Sequence, residues 1–113
     1  MSNDNTAAGF ELVEATVADV HAAFAAGTLS ARQLTKMYLD RIEALDRKGP
    51  ALNSIIAVNP KALEEADRLD AARKASVPMG PLHGIPVIMK DQADVAGMAT
   101  TLGSVLFKNH YPD

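Results

Sequence analysis

"IIAVNPKALEEADRLDAARKASVPMGPLHGIPVIMK", residues Ile55 to Lys90, is the stretch that decides the fold class. Its two ends, Ile55–Val58 and Ile85–Met89, are short apolar runs of the length of strands buried on both faces. Between them Asn59 and Pro60 supply a cap and a first-turn proline, and Leu63, Ala66 and Leu69 recur at helical spacing up to about Ser76. Glu64 and Glu65 suit the positive end of that helix dipole. The pattern is one β-α-β unit, which predicts an α/β class with helices laid on a sheet.

Working outward toward the amino terminus, two more helices are written in capping chemistry. Thr16 caps a helix with Val17, Val20 and Phe24 on its inner face, ending at Gly27. Ser30 opens the next, with Gln33 at capping-box spacing. Leu34, Met37, Tyr38, Ile42 and Leu45 form its predicted buried stripe, while Arg32, Lys36, Asp40 and Asp46 are placed outside. Arg47 and Lys48 suit its last turn, and Gly49-Pro50 stops it. Residues 1–14 are small and polar and read as a mobile tail, leaving 15–113 as one incomplete domain of order α-α-β-α-β. Two strands apolar on both faces need strand neighbours and a second helical layer, and these residues supply neither.

Composition narrows the function. A net charge of -3 offers no clustered cations for a nucleic-acid backbone, so no nucleic-acid partner is expected. The absence of cysteine removes thiolate nucleophiles and thiolate metal ligands, and three dispersed histidines lack a metal-ligand spacing, so neither metal nor cofactor is expected. The start MSNDNTAAGFELVEA has no secretory pattern, and no window is apolar enough to span a bilayer. No membrane association and a cytoplasmic location are the resulting expectations.

The chemistry concentrates in GPLHGIPVIMKDQAD, Gly80 to Asp94, where an apolar run ends in Lys90. Read from the residues alone, Lys90 either snorkels to water, pairs with Asp91 or Asp94, or is held dry. PLHGIPVIMKD followed by DVAGMATTLGS resembles the amino-terminal lysine motif of the amidase signature family, serine hydrolases that cleave amides and some esters. NSIIAVNPKALEEADRLDAAR also resembles that family's lead-in, and the likeness covers roughly residues 15–113. The resemblance implies the amino-terminal portion of a mixed sheet sandwiched by helices. It implies, too, that Lys90 is the base of a Ser-cisSer-Lys triad acting on a small-molecule amide. On that reading burial disfavours the ammonium, and the neutral amine takes a proton relayed through a bridging serine from the nucleophilic serine. Backbone N–H groups would hold the oxyanion of the attacked amide.

The other candidates carry less. His83 is expected to fix the loop before the strand and not to act as base, since in the resembling family lysine takes that place. His21 and His110 are scattered. Gly84 and Gly97 are expected at tight bends, and Thr100, Thr101 and Ser104 form a hydroxyl-bearing loop that either makes a turn or lines a site. If the strand continues, Asp91 should point away from Lys90.

No Gly-Ser-Ser-Gly run occurs in the 113 residues, so the serine pair the resemblance calls for is missing. The expectation is the amino-terminal part of an amidase that supplies only the lysine, is inactive alone and folds poorly alone. Two alternatives stand beside it: a non-enzymatic interaction module that pairs its open strands with another polypeptide, and the amidotransferase branch of the same family; as partners, a second copy or a complementing carboxy-terminal segment is expected. Substrate identity is not legible in these residues.

Overall fold

The computed structural model describes residues 6–7 and 10–112. A short antiparallel pair, β1 (Thr6–Ala7) and β2 (Phe10–Glu11), leads into three helices: α1 (Val17–Ala26), α2 (Ala31–Arg41) and α3 (Ala62–Lys74). A π-helical turn, Ile42–Arg47, extends α2, and a 3-10 turn, Val105–Phe107, lies near the carboxy end.

The helix starts form as their sequences predict. Thr16 accepts from the Asp19 amide while Asp19 accepts from the Thr16 amide, and Ser30 with Gln33 repeats the arrangement. Each box satisfies two amides that a helix start leaves unpaired, and loss of such a cap costs about 1 kcal/mol. Gly27 ends α1 in the left-handed region, φ 75°, with its N–H shared between the Ala23 and Phe24 carbonyls. For α3 the prediction is two residues early. Asn59 Oδ1 accepts from the Lys61 amide in a local turn, and regular helix begins at Ala62 without a side-chain cap.

The core lies where α1, α2 and α3 meet. Phe24, Leu29 and Leu34 are its most enclosed large side chains, joined by Phe10, Leu12, Val20, Met37 and Ala66. Phe10 and Leu12, which fall within residues 1–14, are buried in this core, removing their apolar area from water. Residues 1–5 and 8–9 lie outside the described residues. A buried carboxylate links two helices: Asp70 of α3 accepts from the Ala31 and Arg32 amides at 2.7 and 3.1 Å, at the positive end of α2. Arg73 adds to this joint by donating to the Phe24 carbonyl at 3.1 Å, its guanidinium 5.6 Å from the centre of the Phe24 ring.

Several inward assignments fail. Val17, Tyr38 and Leu45 are exposed, whereas Asp46, placed outside by sequence, is buried with 5% exposure. The π-helical turn explains the last two residues. Its wider i to i+5 bonding, seen in Lys48 N–H donating to Glu43 O, breaks the 3.6-residue register that carried the stripe past Ile42. Asp46 then faces residues 54 and 55, accepting from Ser54 N at 2.7 Å, Ser54 Oγ at 2.5 Å and Ile55 N at 3.0 Å. The Ser54 hydroxyl first, and then the two amides, hold its carboxyl below the ordinary range.

The two predicted strands find no ladder among the described residues. Neither Ile55–Val58 nor Ile85–Met89 pairs with another strand, and the sheet among the described residues is the β1-β2 pair alone. A central strand needs ladder partners on both edges, and these residues contain none to offer. Ile56, Val58, Val87, Ile88 and Met89 are accordingly exposed.

Candidate active-site segment

The segment is anchored at its start by the helical core. His83 Nε2 donates to the Leu69 carbonyl of α3 at 2.9 Å, and the His83 carbonyl accepts from His21 Nε2 of α1 at 3.2 Å. Because a carbonyl only accepts, both bonds place a proton on Nε2. His83 therefore fixes the loop, as its sequence setting suggests. Gly84 follows in the left-handed region, φ 75°, with its backbone so close to Phe24 that an added Cβ would stand 2.9 Å from a ring carbon. Ile85 packs partly on the same core.

Beyond Ile85 the chain leaves the core. Val87, Ile88 and Met89 are 62, 78 and 55% exposed, and none of their backbone groups is hydrogen-bonded among the described residues. Lys90 ends this run, is itself exposed, and belongs to none of the ion pairs among the described residues. The burial that the sequence reading places around its amine is thus not provided by the described residues. Asp94 is exposed and does not pair with it.

The chain turns at Lys90, whose carbonyl accepts from Ala93 N at 2.9 Å. Asp91 faces the hydroxyl loop: one carboxylate oxygen accepts from Thr101 N at 2.9 Å, and the other accepts from the Thr101 hydroxyl and from Gly103 N at 3.4 Å. The Thr101 hydroxyl, then its amide, then the Gly103 amide and the Lys90 charge hold the Asp91 carboxyl below the ordinary range, against partial burial. Gly97 makes the intervening bend at φ 79°. Thr100 is buried, its amide donating to the His110 carbonyl at 2.8 Å, and its hydroxyl has no partner among the described residues. Ser104 Oγ accepts from Leu106 N at the start of the 3-10 turn. The loop of Thr100, Thr101 and Ser104 thus makes turns, and the structure brings Thr101 to Asp91 but, among the described residues, hydrogen-bonds no hydroxyl to Lys90. Sequence reasoning missed the organising role of Asp91; the hint was a threonine pair ten residues after an aspartate, and distance along the chain hid it.

An open cleft of about 310 Å³ lies elsewhere, lined by Leu12, Val13, Glu14, Ala15, Tyr38 and Arg41. It includes no residue of the lysine segment. Among the described residues no cluster of three or more His, Cys, Asp or Glu could hold a metal, and no helix is long and apolar enough to cross a membrane.

Comparison with known proteins bears on the whole segment. A family model described as Amidase matches residues 33–113. A glutamyl-tRNA(Gln) amidotransferase subunit from Oleidesulfovibrio alaskensis is 40% identical over 98 residues, covering 86% of this chain and 19% of that protein. A "Probable amidase" of Arabidopsis thaliana is 35% identical over 109 residues, 88% of this chain and 21% of the relative. Among solved structures, native peptide amidase from Stenotrophomonas maltophilia superposes with a TM-score of 0.89 at 46% identity, over 92% of this chain and 21% of that one. The chain spans about a fifth of the length of the relatives it matches. These neighbours have α/β folds, in keeping with the class read from residues 55–90, although the sheet around those residues is not formed among the described ones.

Proposed function

The chain belongs to the amidase family, and from that premise we propose that it supplies the lysine segment of an amide hydrolase, with Lys90 as the proton acceptor. What carries the reading is the unbroken motif PLHGIPVIMKD with DVAGMATTLGS behind it, inside the region that the family model matches. The chemistry is acyl transfer. A serine hydroxyl attacks the amide carbonyl, its proton passes through a bridging serine to the neutral amine of Lys90, and the amine or ammonia leaves with a proton returned along the same path. Water then releases the acid from the acyl-serine. No Gly-Ser-Ser-Gly run lies in these 113 residues, and the scheme requires such a serine pair to be brought to Lys90.

An amine serves as base only when its charged form is disfavoured by removal from water. The exposed Val87, Ile88 and Met89 beside Lys90 are the apolar surface through which such cover would act, and burying them is favourable at about 25 cal/mol per Å². Arrival of the covering residues and loss of water around the amine are then one event. In a protein that joins these residues to such a serine pair, Lys90→Ala should reduce release of ammonia from a peptide carboxamide by roughly 10²- to 10⁴-fold, the range of a lost general base. Unchanged turnover would end the proposal.

A second reading has its own support in the relatives named as glutamyl-tRNA(Gln) amidotransferase subunits, one of them 46% identical over 90 residues. On that reading the ammonia released is handed to a partner protein. Substrate preference separates the two: a free-standing hydrolase turns over a peptide carboxamide without a partner, whereas an amidotransferase component is selective for glutamine.

A further inference from the structure

We propose that Asp91 is a positioning residue for Lys90, its carboxylate stapling the chain at 90–91 to the loop 101–103 so that this loop sets the direction in which the lysine leaves the backbone. The inference rests on the reading of Lys90 as base. Between Ile85 and Lys90 nothing else holds the chain: Val87, Ile88 and Met89 make no backbone hydrogen bond among the described residues, and no ladder fixes their alternation. The next fixed points are the Lys90 carbonyl, which accepts from Ala93 N at 2.9 Å, and residue 91. Thr101 N–H, the Thr101 hydroxyl and Gly103 N–H all donate to its carboxylate, and its own carbonyl accepts from Leu102 N at 3.4 Å. Four bonds from three consecutive residues allow little rotation about residue 91, and Lys90 is its peptide neighbour.

The same bonds divert the carboxylate from the lysine. A carboxylate in contact with a base would hold it protonated as an ion pair, but here the carboxylate's contacts go to Thr101 and Gly103, Lys90 has no ion-pair partner among the described residues, and the attraction between the two charges is the last of the influences on Asp91. Asp91 is thereby useful for its shape and acceptor pattern more than for its charge. That distinction makes the inference testable, because asparagine keeps an acceptor for Thr101 N and can donate to the Thr101 hydroxyl, whereas alanine keeps only the backbone bond from Leu102 N.

In a protein that joins these residues to such a serine pair, Asp91→Ala should lower kcat on a peptide carboxamide by about 10²-fold, the scale of a small misplacement of a reacting group, with KM within about 2-fold. Asp91→Asn should recover most of that loss, and Thr101→Val combined with Asp91→Ala should be no worse than Asp91→Ala alone. Hydrogen exchange read at the Thr101 amide, which donates to one Asp91 oxygen, needs no turnover: it should be slow in the unsubstituted protein and in Asp91→Asn, and fast in Asp91→Ala. Equal exchange in all three overturns the inference, as does kcat unchanged in Asp91→Ala while Lys90→Ala abolishes turnover. Loss of kcat to the same degree in Asp91→Asn and Asp91→Ala assigns the effect to charge and overturns the positioning role. Turnover indifferent to Lys90→Ala instead removes the reading of Lys90 as base, and the exchange result then stands by itself.

Discussion

Residues 10–76 and residues 77–112 are comparably rich in apolar side chains, yet the first region buries Phe24, Leu29 and Leu34 almost completely while the second leaves Ile88, Val105 and Leu106 more than three-quarters exposed. The difference is one of partners. Each helix of the first region satisfies its own backbone, so it needs only another apolar face, and α1, α2 and α3 supply one another with that. An extended run satisfies half its backbone groups at best on each side and must borrow a neighbour strand before its side chains have anything to cover them. Apolar content is therefore a poor guide to burial unless the element that carries it can be completed within the same residues.

Substitutions test this contrast between the two regions. The largest effect is expected in the helical region, where Leu34→Ala should cost about 3–5 kcal/mol, the usual range for emptying an enclosed leucine site. Chemical denaturation followed by far-UV circular dichroism would measure it; a loss under about 1 kcal/mol would mean that the three-helix core is not cooperative. Next is the joint between the regions. Gly84→Ala meets both a left-handed backbone, costing about 1–2 kcal/mol, and the Phe24 ring, where overpacking adds about 1–3 kcal/mol. Its melting temperature should drop together with loss of the His83 to Leu69 contact, read from the imidazole resonances.

A milder effect is expected from pH. Asp46 and Asp91 both have carboxyls held below the ordinary value, so each binds protons less readily folded than unfolded. Their stabilisation is present above the ordinary aspartate pKa of about 3.9 and disappears as pH falls through the lower folded value. Acid titration by NMR should show the Ser54 and Ile55 amides and the Thr101 amide losing protection below about pH 4; retention of both down to full protonation would contradict the bonds described. The smallest change belongs to Ile88→Thr. With the side chain 78% exposed, the stability of the chain should move by less than about 0.5 kcal/mol. A larger loss would mean that the run finds cover, and would erase the contrast between the two regions.

Legibility followed the same divide. Thr16, Gly27, Ser30 and Gln33 were readable because capping acts over three or four residues, and the sequence prints both partners within one window. The roles of Asp46 and Asp70 were not. One depended on a π-helical turn that shifted the register, the other on a helix start 39 residues away. In the lysine segment the motif made Lys90 conspicuous, and the histidine loop and the glycine bends followed from residue chemistry. The staple from Asp91 to Thr101 and Gly103 did not, since it joins residues whose only sequence relation is separation.

What the amino-acid order determined by itself is local: where helices begin and end, which glycines turn the chain, and that a lysine closes an apolar run inside a family motif. Tertiary structure alone decided which of the apolar faces became a core, which aspartate capped which helix, and that Lys90 and its run stand open to water. The reason is reach. Capping and turn energies act between near neighbours, whereas burial depends on what the fold brings to the other side of a surface.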